Sequence, residues 1–336
     1  MPVRVAVDAL GGDRGPKDVI AGALEAASDG VVPVLFGPAD LDGHGLQLVR
    51  VSQAIGMNEK PADAVRAKPD SSLVAACRAV GAGQADAVVS AGNTGAMLAA
   101  CLRELRRLPG VMRPAIAVPI PARSGPSVLI DAGANADARP EHLLQFGHMG
   151  AIFAEEILGL DRPEVRLLSI GEEPEKGNQL TLEAHELLAS SDLNFAGNVE
   201  SRTLLEGAGD VIVCDGFTGN ICLKLLEGTI KTVLDALRAE MTRTRRGRVG
   251  GLLIREAARG LRNRLDPDTY GGAYLLGLGG IAVIAHGNSS PRAIDNAIKL
   301  AARGVEHGVV DRLAGRFSNR RQNPRATDSS EGVQAR

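Results

Sequence analysis

Six short apolar runs in this 336-residue sequence are each followed by glycine and small polar residues, a pattern that suits binding of a phosphate-type anion. Glycine there lets backbone N–H groups face the anion, and the N-terminus of a following helix adds partial positive charge. Ordinary turns after strands also use Gly, Asn and Asp, so a purely structural role is the alternative for any one segment. The six segments are residues 8–13, 90–95, 131–135, 171–178, 215–220 and 286–290.

Several charged residues in or beside these segments are candidates for chemistry. Lys176 lies in one of them and Lys224 follows another, and a compact ammonium group suits a phosphate or a developing oxyanion, although two surface lysines would give the same pattern. His286 is a candidate acid or base, or else a hydrogen-bonded structural residue. Asp8 and Asp215 are expected to orient the glycine loops through backbone N–H groups.

Familiar cofactor and nucleophile motifs do not occur. The sequence has no GxGxxG after its first apolar run, no Walker A loop, no HExxH or carboxylate–histidine metal motif, and no GxSxG elbow. We therefore predict no cofactor and no metal, and direct attack by a bound anion instead of a covalent enzyme intermediate.

The elements that must position these segments follow from the apolar runs. Runs without polar alternation are typical of strands buried on both faces, which occur in parallel sheets covered by helices. Helical composition separates them, so the sequence predicts a doubly wound, mostly parallel α/β fold. We expect a single domain over residues 1–314 and a disordered tail over 315–336. The strands are predicted at 3–7, 34–36, 87–89, 115–118, 128–130, 166–170, 211–214 and 281–285, and the clearest helices at 16–28, 71–82, 94–107 and 140–158.

Composition bounds the compartment. The net charge is −2, the N-terminus lacks the architecture of a signal peptide, and no run of apolar residues is long enough to span a bilayer. The four cysteines show neither CxxC nor zinc spacing, and are expected to be reduced and buried. Together these features predict a cytoplasmic protein.

A basic amphipathic segment over residues 238–265 is the other unusual feature. Nine arginines and two glutamates lie between Arg238 and Arg264, within a chain of nearly zero charge. Apolar residues at helical spacing predict one helix, an arginine-rich bend ending at Gly250-Gly251, and a second helix opening with Leu252-Leu253-Ile254.

Three interpretations of this basic segment remain open. Its apolar stripes fit a subunit interface, its Leu-Leu-Ile tip fits an anionic membrane surface, and its arginines fit an acidic protein partner. Nucleic acid is disfavoured, because two tyrosines and no tryptophan leave few stacking surfaces. The candidate contact residues are Arg245, Arg246, Arg248, Leu252, Leu253, Ile254, Arg255 and Arg259.

The chain resembles the PlsX family of bacterial phosphate acyltransferases, over nearly its whole length to about residue 312. It departs from the family pattern at Ser201 and Thr203, within the stretch 197–203, which puts in doubt any role carried over to those two positions. The matching stretches are Val7-Asp8-Ala9-Leu10-Gly11-Gly12-Asp13, Ser90-Ala91-Gly92-Asn93-Thr94-Gly95-Ala96, Asp131-Ala132-Gly133-Ala134-Asn135, Leu168 to Glu173 with Lys176-Gly177-Asn178, Asp215-Gly216-Phe217-Thr218-Gly219-Asn220, Tyr270-Gly271-Gly272-Ala273, Leu275 to Leu278 and His286-Gly287.

The resemblance implies a fold similar to the isocitrate/isopropylmalate dehydrogenase group, a homodimer and no redox cofactor. It also implies the reaction, in which inorganic phosphate attacks the thioester of a long-chain acyl carrier protein and acyl phosphate forms. The product would pass to a membrane glycerol-3-phosphate acyltransferase in phospholipid synthesis, and the enzyme would lie peripherally on the inner face of the cell membrane.

On this basis we expect backbone amides of residues 92–94 and 216–220 to position phosphate, with Lys176, Asn93 or Asn220 stabilising the oxyanion. A metal- and NAD-dependent dehydrogenase, a phosphotransacetylase that uses coenzyme A, and a membrane-tethering scaffold are the alternatives. The catalytic candidates are Lys176, Asn93, Asn220 and His286, and the candidates for phosphate or substrate contact are Gly11, Gly12, Asp13, Gly92, Thr94, Gly95, Asn135, Asn178, Asp215, Gly216, Gly219 and Lys224.

Overall fold

One mixed sheet organises the computed structural model, which describes residues 2–318 apart from residue 124. Within those residues the sheet has eleven strands in the order β3-β2-β1-β4-β11-β10-β5-β6-β9-β7-β8. All eight predicted strands are present, and β3, β8 and β10 are additional. The strands are β1 (Arg4–Asp8), β2 (Val32–Gly37), β3 (Gln47–Arg50), β4 (Ala87–Ser90), β5 (Ala115–Ile120), β6 (Ser127–Ile130), β7 (Val165–Ser169), β8 (Phe195–Glu200), β9 (Val211–Val213), β10 (Ala273–Leu276) and β11 (Ile281–Ile284).

Helices connect the strands, and the four clearest predicted helices correspond to α1, α3, α4 and α5. Short 3-10 helices cover Ser201–Glu206 and Pro267–Tyr270. The α-helices of the described residues are α1 (Pro16–Ser28), α2 (Pro61–Ala67), α3 (Ser72–Gly81), α4 (Thr94–Glu104), α5 (Pro140–Leu158), α6 (Gln179–Ala189), α7 (Gly216–Arg243), α8 (Arg245–Leu253), α9 (Arg255–Leu265), α10 (Pro291–Glu306) and α11 (Val309–Ser318).

The core lies on both faces of the sheet. Residues of α1, α5, α6, α10 and α11 pack on one face, where Val5, Val7 and Val89 point. Residues of α2, α3 and α4 pack on the other, where Ala6 and Val88 point. Alternate strand residues therefore enter opposite cores, which explains why the strands read as continuous apolar runs.

The sheet is mostly parallel, as predicted, but its strands run in two directions. β10 is antiparallel to both β11 and β5, and β5 is antiparallel to β6. β1, β2, β4 and β11 are parallel to one another. β6, β9, β7 and β8 are likewise parallel to one another, and run opposite to the first group.

The predicted bend in the basic segment is wrong. Residues 245–253 form α8, which passes through Gly250 and Gly251, and the chain breaks at Thr244 and Ile254 instead. Thr244 Oγ1 accepts a hydrogen bond from the Gly247 backbone N–H at 3.0 Å and so begins a new helix. Arginine also has a high helix propensity, so the arginines of this segment keep it helical in spite of its glycines.

The predicted tail begins too early. Residues 315–318 belong to α11, because Val309, Leu313 and Phe317 repeat every four residues and are all buried against the core. Residues 319–336 lie outside the described part of the chain. Among the described residues, none of the helices combines the length and apolar character that crossing a bilayer requires.

Candidate active site

The reversal of strand direction divides the six glycine-containing loops into two groups. Carboxyl ends of β1, β4 and β11 lie at one edge of the sheet, and those of β6, β9 and β7 at the opposite edge. The loops therefore leave the sheet in two directions, because antiparallel pairs in the middle of the sheet invert half of the strands. We call residues 8–13, 90–95 and 286–290 the Asp8 edge, and residues 131–135, 171–178 and 215–220 the Asp131 edge.

Asp8 orients the loops of its edge, as predicted. Its buried carboxylate accepts hydrogen bonds from the Leu10 backbone N–H at 3.2 Å and from the Ser90 hydroxyl at 2.7 Å. Ser90 Oγ in turn accepts from the Gly92 N–H at 3.0 Å. Burial raises the pKa of Asp8, and these hydrogen bonds oppose that rise.

The remaining loops of the Asp8 edge are in close contact. The Asp13 N–H donates to the Gly287 carbonyl at 2.6 Å. A Cβ at Gly11 would lie only 2.8 Å from the Gly92 nitrogen, so the two glycines allow the loops to touch. The structure thus brings Gly11, Gly12, Asp13 and Gly92 beside the loop of His286.

Asn93 holds the start of α4 instead of presenting a free amide. Its Oδ1 accepts from the Ala96 N–H at 3.0 Å, and its Nδ2 donates to the carbonyls of Met57 at 2.8 Å and Glu59 at 3.3 Å. This geometry revises the expected oxyanion contact to a positioning role. Thr94, which is exposed, and Gly95 supply first-turn backbone amides that the helix itself does not use.

His286 lies next to α7. Its Nε2 is 3.3 Å from Glu227 Oε1, and the side chain is 45% exposed. Both residues line a cavity of about 1350 Å³ together with Lys224 and Arg14. Sequence reasoning missed Glu227 and Arg14. Glu227 lies three residues after Lys224, which places both on one face of a helix. This spacing would have indicated Glu227 as a candidate.

At the opposite edge, Asp131 takes up the amides that were predicted to bind phosphate. The fully buried carboxylate accepts from five donors between 2.7 and 3.2 Å, and burial raises its pKa while the hydrogen bonds oppose the rise. Asp131 thus supplies an anion to this loop, so these donors are already used within the protein. The donors are the backbone N–H groups of Ile116, Gly133, Ala134 and Asn135 and the Asn135 side-chain amide.

Asp215 caps α7 against this loop. Its carboxylate accepts from the N–H groups of Phe217 and Thr218 at 3.0 and 2.9 Å, which confirms its expected role in orienting the loop. The Gly216 N–H donates to the Asn135 carbonyl at 2.8 Å. Gly219 packs so closely that a Cβ there would overlap the Asp131 carbonyl oxygen.

Lys176 and Asn220 supply one ammonium group and one amide at the Asp131 edge, where the exposed side chains of Glu172, Glu173 and Glu175 also lie. Neither side chain takes part in a hydrogen bond or ion pair with any of the residues 2–318 that the structure describes. Asn220 lies beside Gly133, and its side chain is about 3.6 Å from where a Cβ of that glycine would be. Lys176 is exposed on the loop after β7, the strand next to β9. Asn178 instead caps α6 through the Thr181 N–H at 3.0 Å.

A hydrogen-bond network that the sequence-based site did not include anchors the Lys176 loop. The buried Asn198 donates from Nδ2 to the Glu173 carbonyl at 2.9 Å, and its Oδ1 is 2.9 Å from His185 Nδ1. At the position where the family pattern is broken, the Thr203 hydroxyl donates to the Glu200 carbonyl at 3.0 Å. These contacts are local and structural.

The family described as "Fatty acid synthesis protein" matches residues 3–312 of this chain. A phosphate acyltransferase from Heliobacterium modesticaldum is 44% identical over 320 residues, covering 92% of this chain and 96% of that protein. The phosphate acyltransferase of Moorella thermoacetica is 46% identical over 321 residues, covering 93% and 95%.

Solved structures with a similar fold are more distant in sequence. A phosphotransacetylase from Streptococcus pyogenes has a TM-score of 0.60 at 16% identity, covering 91% of this chain and 94% of that one. A 4-hydroxythreonine-4-phosphate dehydrogenase from Klebsiella pneumoniae has a TM-score of 0.53 at 15% identity, covering 90% and 98%. These likenesses show the fold alone.

Proposed function

Since the chain belongs to the fatty acid synthesis protein family and is a phosphate acyltransferase, we propose that it transfers the acyl group of a long-chain acyl carrier protein to inorganic phosphate in phospholipid synthesis. The observation that carries this proposal is chain-long identity of 44–46% to proteins of that name. We also propose that the fold is that of the isocitrate/isopropylmalate dehydrogenase group.

The reaction needs no nucleophile from the enzyme. A phosphate oxygen attacks the thioester carbonyl carbon, a C–O bond forms, the C–S bond breaks, and the carrier thiol leaves with the proton. Cys77, Cys101 and Cys214 are buried, and burial raises the pKa of Cys214 well above the usual thiol range. A thiol held in its protonated form is a poor nucleophile, which favours direct attack by phosphate.

We propose that phosphate and the thioester meet at the Asp131 edge. Lys176 and Asn220 supply an ammonium and an amide that are free to bind phosphate and the tetrahedral oxyanion. Asp215 caps the helix that carries Asn220, and Asn198 anchors the loop that carries Lys176, so the donors are held in place before substrate arrives. Lys224 follows Asn220 by one turn of α7, about 6 Å further along the helix, and extends the polar surface toward Arg14 and His286.

The test measures acyl phosphate formed from acyl carrier protein thioester and phosphate by purified Lys176→Ala and Asn220→Ala proteins. Loss of one such donor is expected to lower turnover about 100- to 1,000-fold while the fold persists. Lys17→Ala, an exposed lysine of α1, is the matched control and should leave turnover unchanged. Near-normal turnover in both variants would remove these residues from the mechanism.

The same assay separates the alternative donors. Acyl-coenzyme A as the faster donor would indicate a phosphotransacetylase, and a change at the reduced-nicotinamide band would indicate a dehydrogenase. Vesicle binding without turnover by any donor would indicate a scaffold.

We also propose that α8 and α9 face the membrane or the carrier protein. Leu253 is 82% exposed at the junction of the two helices, beside the exposed Leu252 and Ile254. An apolar tip within a basic surface suits the interface of an anionic bilayer, and the basic surface also suits an acidic carrier. We propose further that the protein is a cytoplasmic homodimer attached peripherally to the inner face of the membrane. Its product would then pass to a membrane acyltransferase. The candidate contact arginines Arg245, Arg246, Arg248, Arg255 and Arg259 are all exposed.

A further inference from the structure

His185 lies behind the loop that carries Lys176. It is half-buried on α6, and its ring meets that of Phe195 on β8 edge to face, with the ring centroids 5.1 Å apart. Its Nδ1 is 2.9 Å from Oδ1 of the buried Asn198, which belongs to the same strand. The ring contact and the polar contact together hold the imidazole in one orientation.

The side-chain amide of Asn198 can lie in only one of its two orientations. One of its polar atoms is 2.9 Å from the Glu173 carbonyl oxygen, and a carbonyl oxygen only accepts hydrogen bonds. That atom is therefore Nδ2, and Oδ1 faces His185. Since Oδ1 also only accepts, His185 must carry a proton on Nδ1. Both the neutral Nδ1–H tautomer and the imidazolium ion have this proton, so the contact does not depend on the charge of the ring.

The Glu173 carbonyl connects Asn198 to Lys176. It also accepts from the Lys176 backbone N–H at 3.0 Å, so one oxygen joins a strand side chain to the main chain of the loop. On the other side of the residue, the Ser169 hydroxyl donates to the Lys176 carbonyl at 2.9 Å. Both backbone polar groups of Lys176 are thus bound, which fixes the direction in which its side chain leaves the loop.

The loop needs this restraint because it carries opposite charges close together. A Cβ at Gly171 would lie 2.8 Å from a carboxylate oxygen of Glu173 and 2.9 Å from Cγ of Lys176. If the loop could rearrange, the ammonium group would pair with one of these nearby carboxylates and no longer be free for an anion. Three exposed glutamates lie within four residues of Lys176, namely Glu172, Glu173 and Glu175.

We infer that His185 is a positioning residue for Lys176. Its Nδ1–H sets the orientation of the Asn198 amide, this amide holds the Glu173 carbonyl, and the carbonyl holds the Lys176 backbone. The inference rests on the proposed function, in which Lys176 binds phosphate and the oxyanion. It adds a residue that touches neither reactant and acts only through Lys176.

Substitutions that remove or keep the Nδ1–H donor test this inference. His185→Leu leaves the buried Asn198 oxygen unpaired, so turnover of acyl carrier protein thioester with phosphate should fall about 10- to 100-fold. His185→Asn places an amide N–H near the former Nδ1 position and should keep turnover within about threefold of wild type. Glu186→Leu puts the same side chain at the next, exposed position of α6 and is the matched control, with turnover unchanged.

Combination with Lys176→Ala shows whether the effect passes through Lys176. If it does, His185→Leu should lower turnover by less than about twofold in the Lys176→Ala background, because coupled residues are not additive. An undiminished effect in that background would mean that His185 serves only the fold, and would overturn the inference. Asn198→Asp keeps the shape of the side chain, but its ionised carboxylate cannot donate to the Glu173 carbonyl, so it should behave as His185→Leu does.

Hydrogen exchange at the Lys176 backbone N–H makes the result independent of turnover. This N–H should exchange about tenfold or more faster in His185→Leu and Asn198→Asp than in wild type, whereas His185→Asn should retain its protection. If the wild-type protein forms no acyl phosphate, the proposed function fails, and the exchange measurement still tests the hold of His185 on the loop. Equal exchange at Lys176 in wild type and His185→Leu would overturn the inference.

Discussion

Replacement of Gly219 by alanine tests whether α7 must dock against the Asp131 loop. Gly219 is buried in the first turn of α7, where a Cβ would overlap the Asp131 carbonyl oxygen and lie 2.8 Å from Cys214 Sγ. Both neighbours are fixed, since the Asp131 loop is held by its own carboxylate and Cys214 is buried. The helix can relieve the overlap only by moving away from the loop, which strains the hydrogen bond from the Gly216 N–H to the Asn135 carbonyl.

Two opposing effects set the magnitude. Alanine is favoured over glycine within a helix by about 1 kcal/mol. Overpacking of a buried position typically costs about 1–3 kcal/mol. The net change for Gly219→Ala is therefore a loss of up to about 2 kcal/mol in the free energy of unfolding. Gly228→Ala, in the same helix and with no atom near its Cβ position, should gain about 0.5–1 kcal/mol instead.

Urea unfolding and turnover of both variants check this prediction. Because Asn220 follows Gly219 directly, a shift of about 1 Å in the helix start should lower turnover about 100-fold. Gly228→Ala should retain wild-type turnover. If Gly219→Ala were as stable as Gly228→Ala and fully active, the close docking of α7 would be refuted, and with it the argument that Asp131 and Asp215 position Asn220.

Two further predictions concern the tip and the buried charge. Leu253→Glu should weaken binding to anionic vesicles in a flotation assay without loss of turnover on soluble substrate, whereas unchanged binding would reject membrane contact by the tip. Because burial raises the pKa of Asp8, the folded protein keeps that proton at a pH where the unfolded chain has lost it, and stability falls as pH rises above the ordinary carboxyl value of about 4. The excess stability of wild type over Asp8→Asn in urea unfolding should therefore be greater at about pH 4, near the ordinary carboxyl pKa, than at about pH 7, and the opposite trend would contradict the assigned shift.

Local patterns predicted the elements of the sheet where burial is complete. β1, β4 and β11 read as unbroken apolar runs because both of their faces enter a core. β3 and β8 are the two outermost strands of the sheet and are only partly buried, so their sequences are not continuous apolar runs. Glycine at Gly250 and Gly251 suggested a bend, but the capping hydroxyl of Thr244 decided where the helix begins.

The sequence by itself determined which residues follow the strands and that the fold is α/β. Only the tertiary structure decided which of those residues meet. Strand direction depends on pairing between distant segments, and three successive antiparallel pairs, β11–β10, β10–β5 and β5–β6, divide the loops between opposite edges of the sheet. The partners of a side chain are likewise set by packing. The Asn93 side-chain amide donates to the Met57 and Glu59 carbonyls, whereas the Asn220 side chain has no hydrogen-bond partner among the described residues.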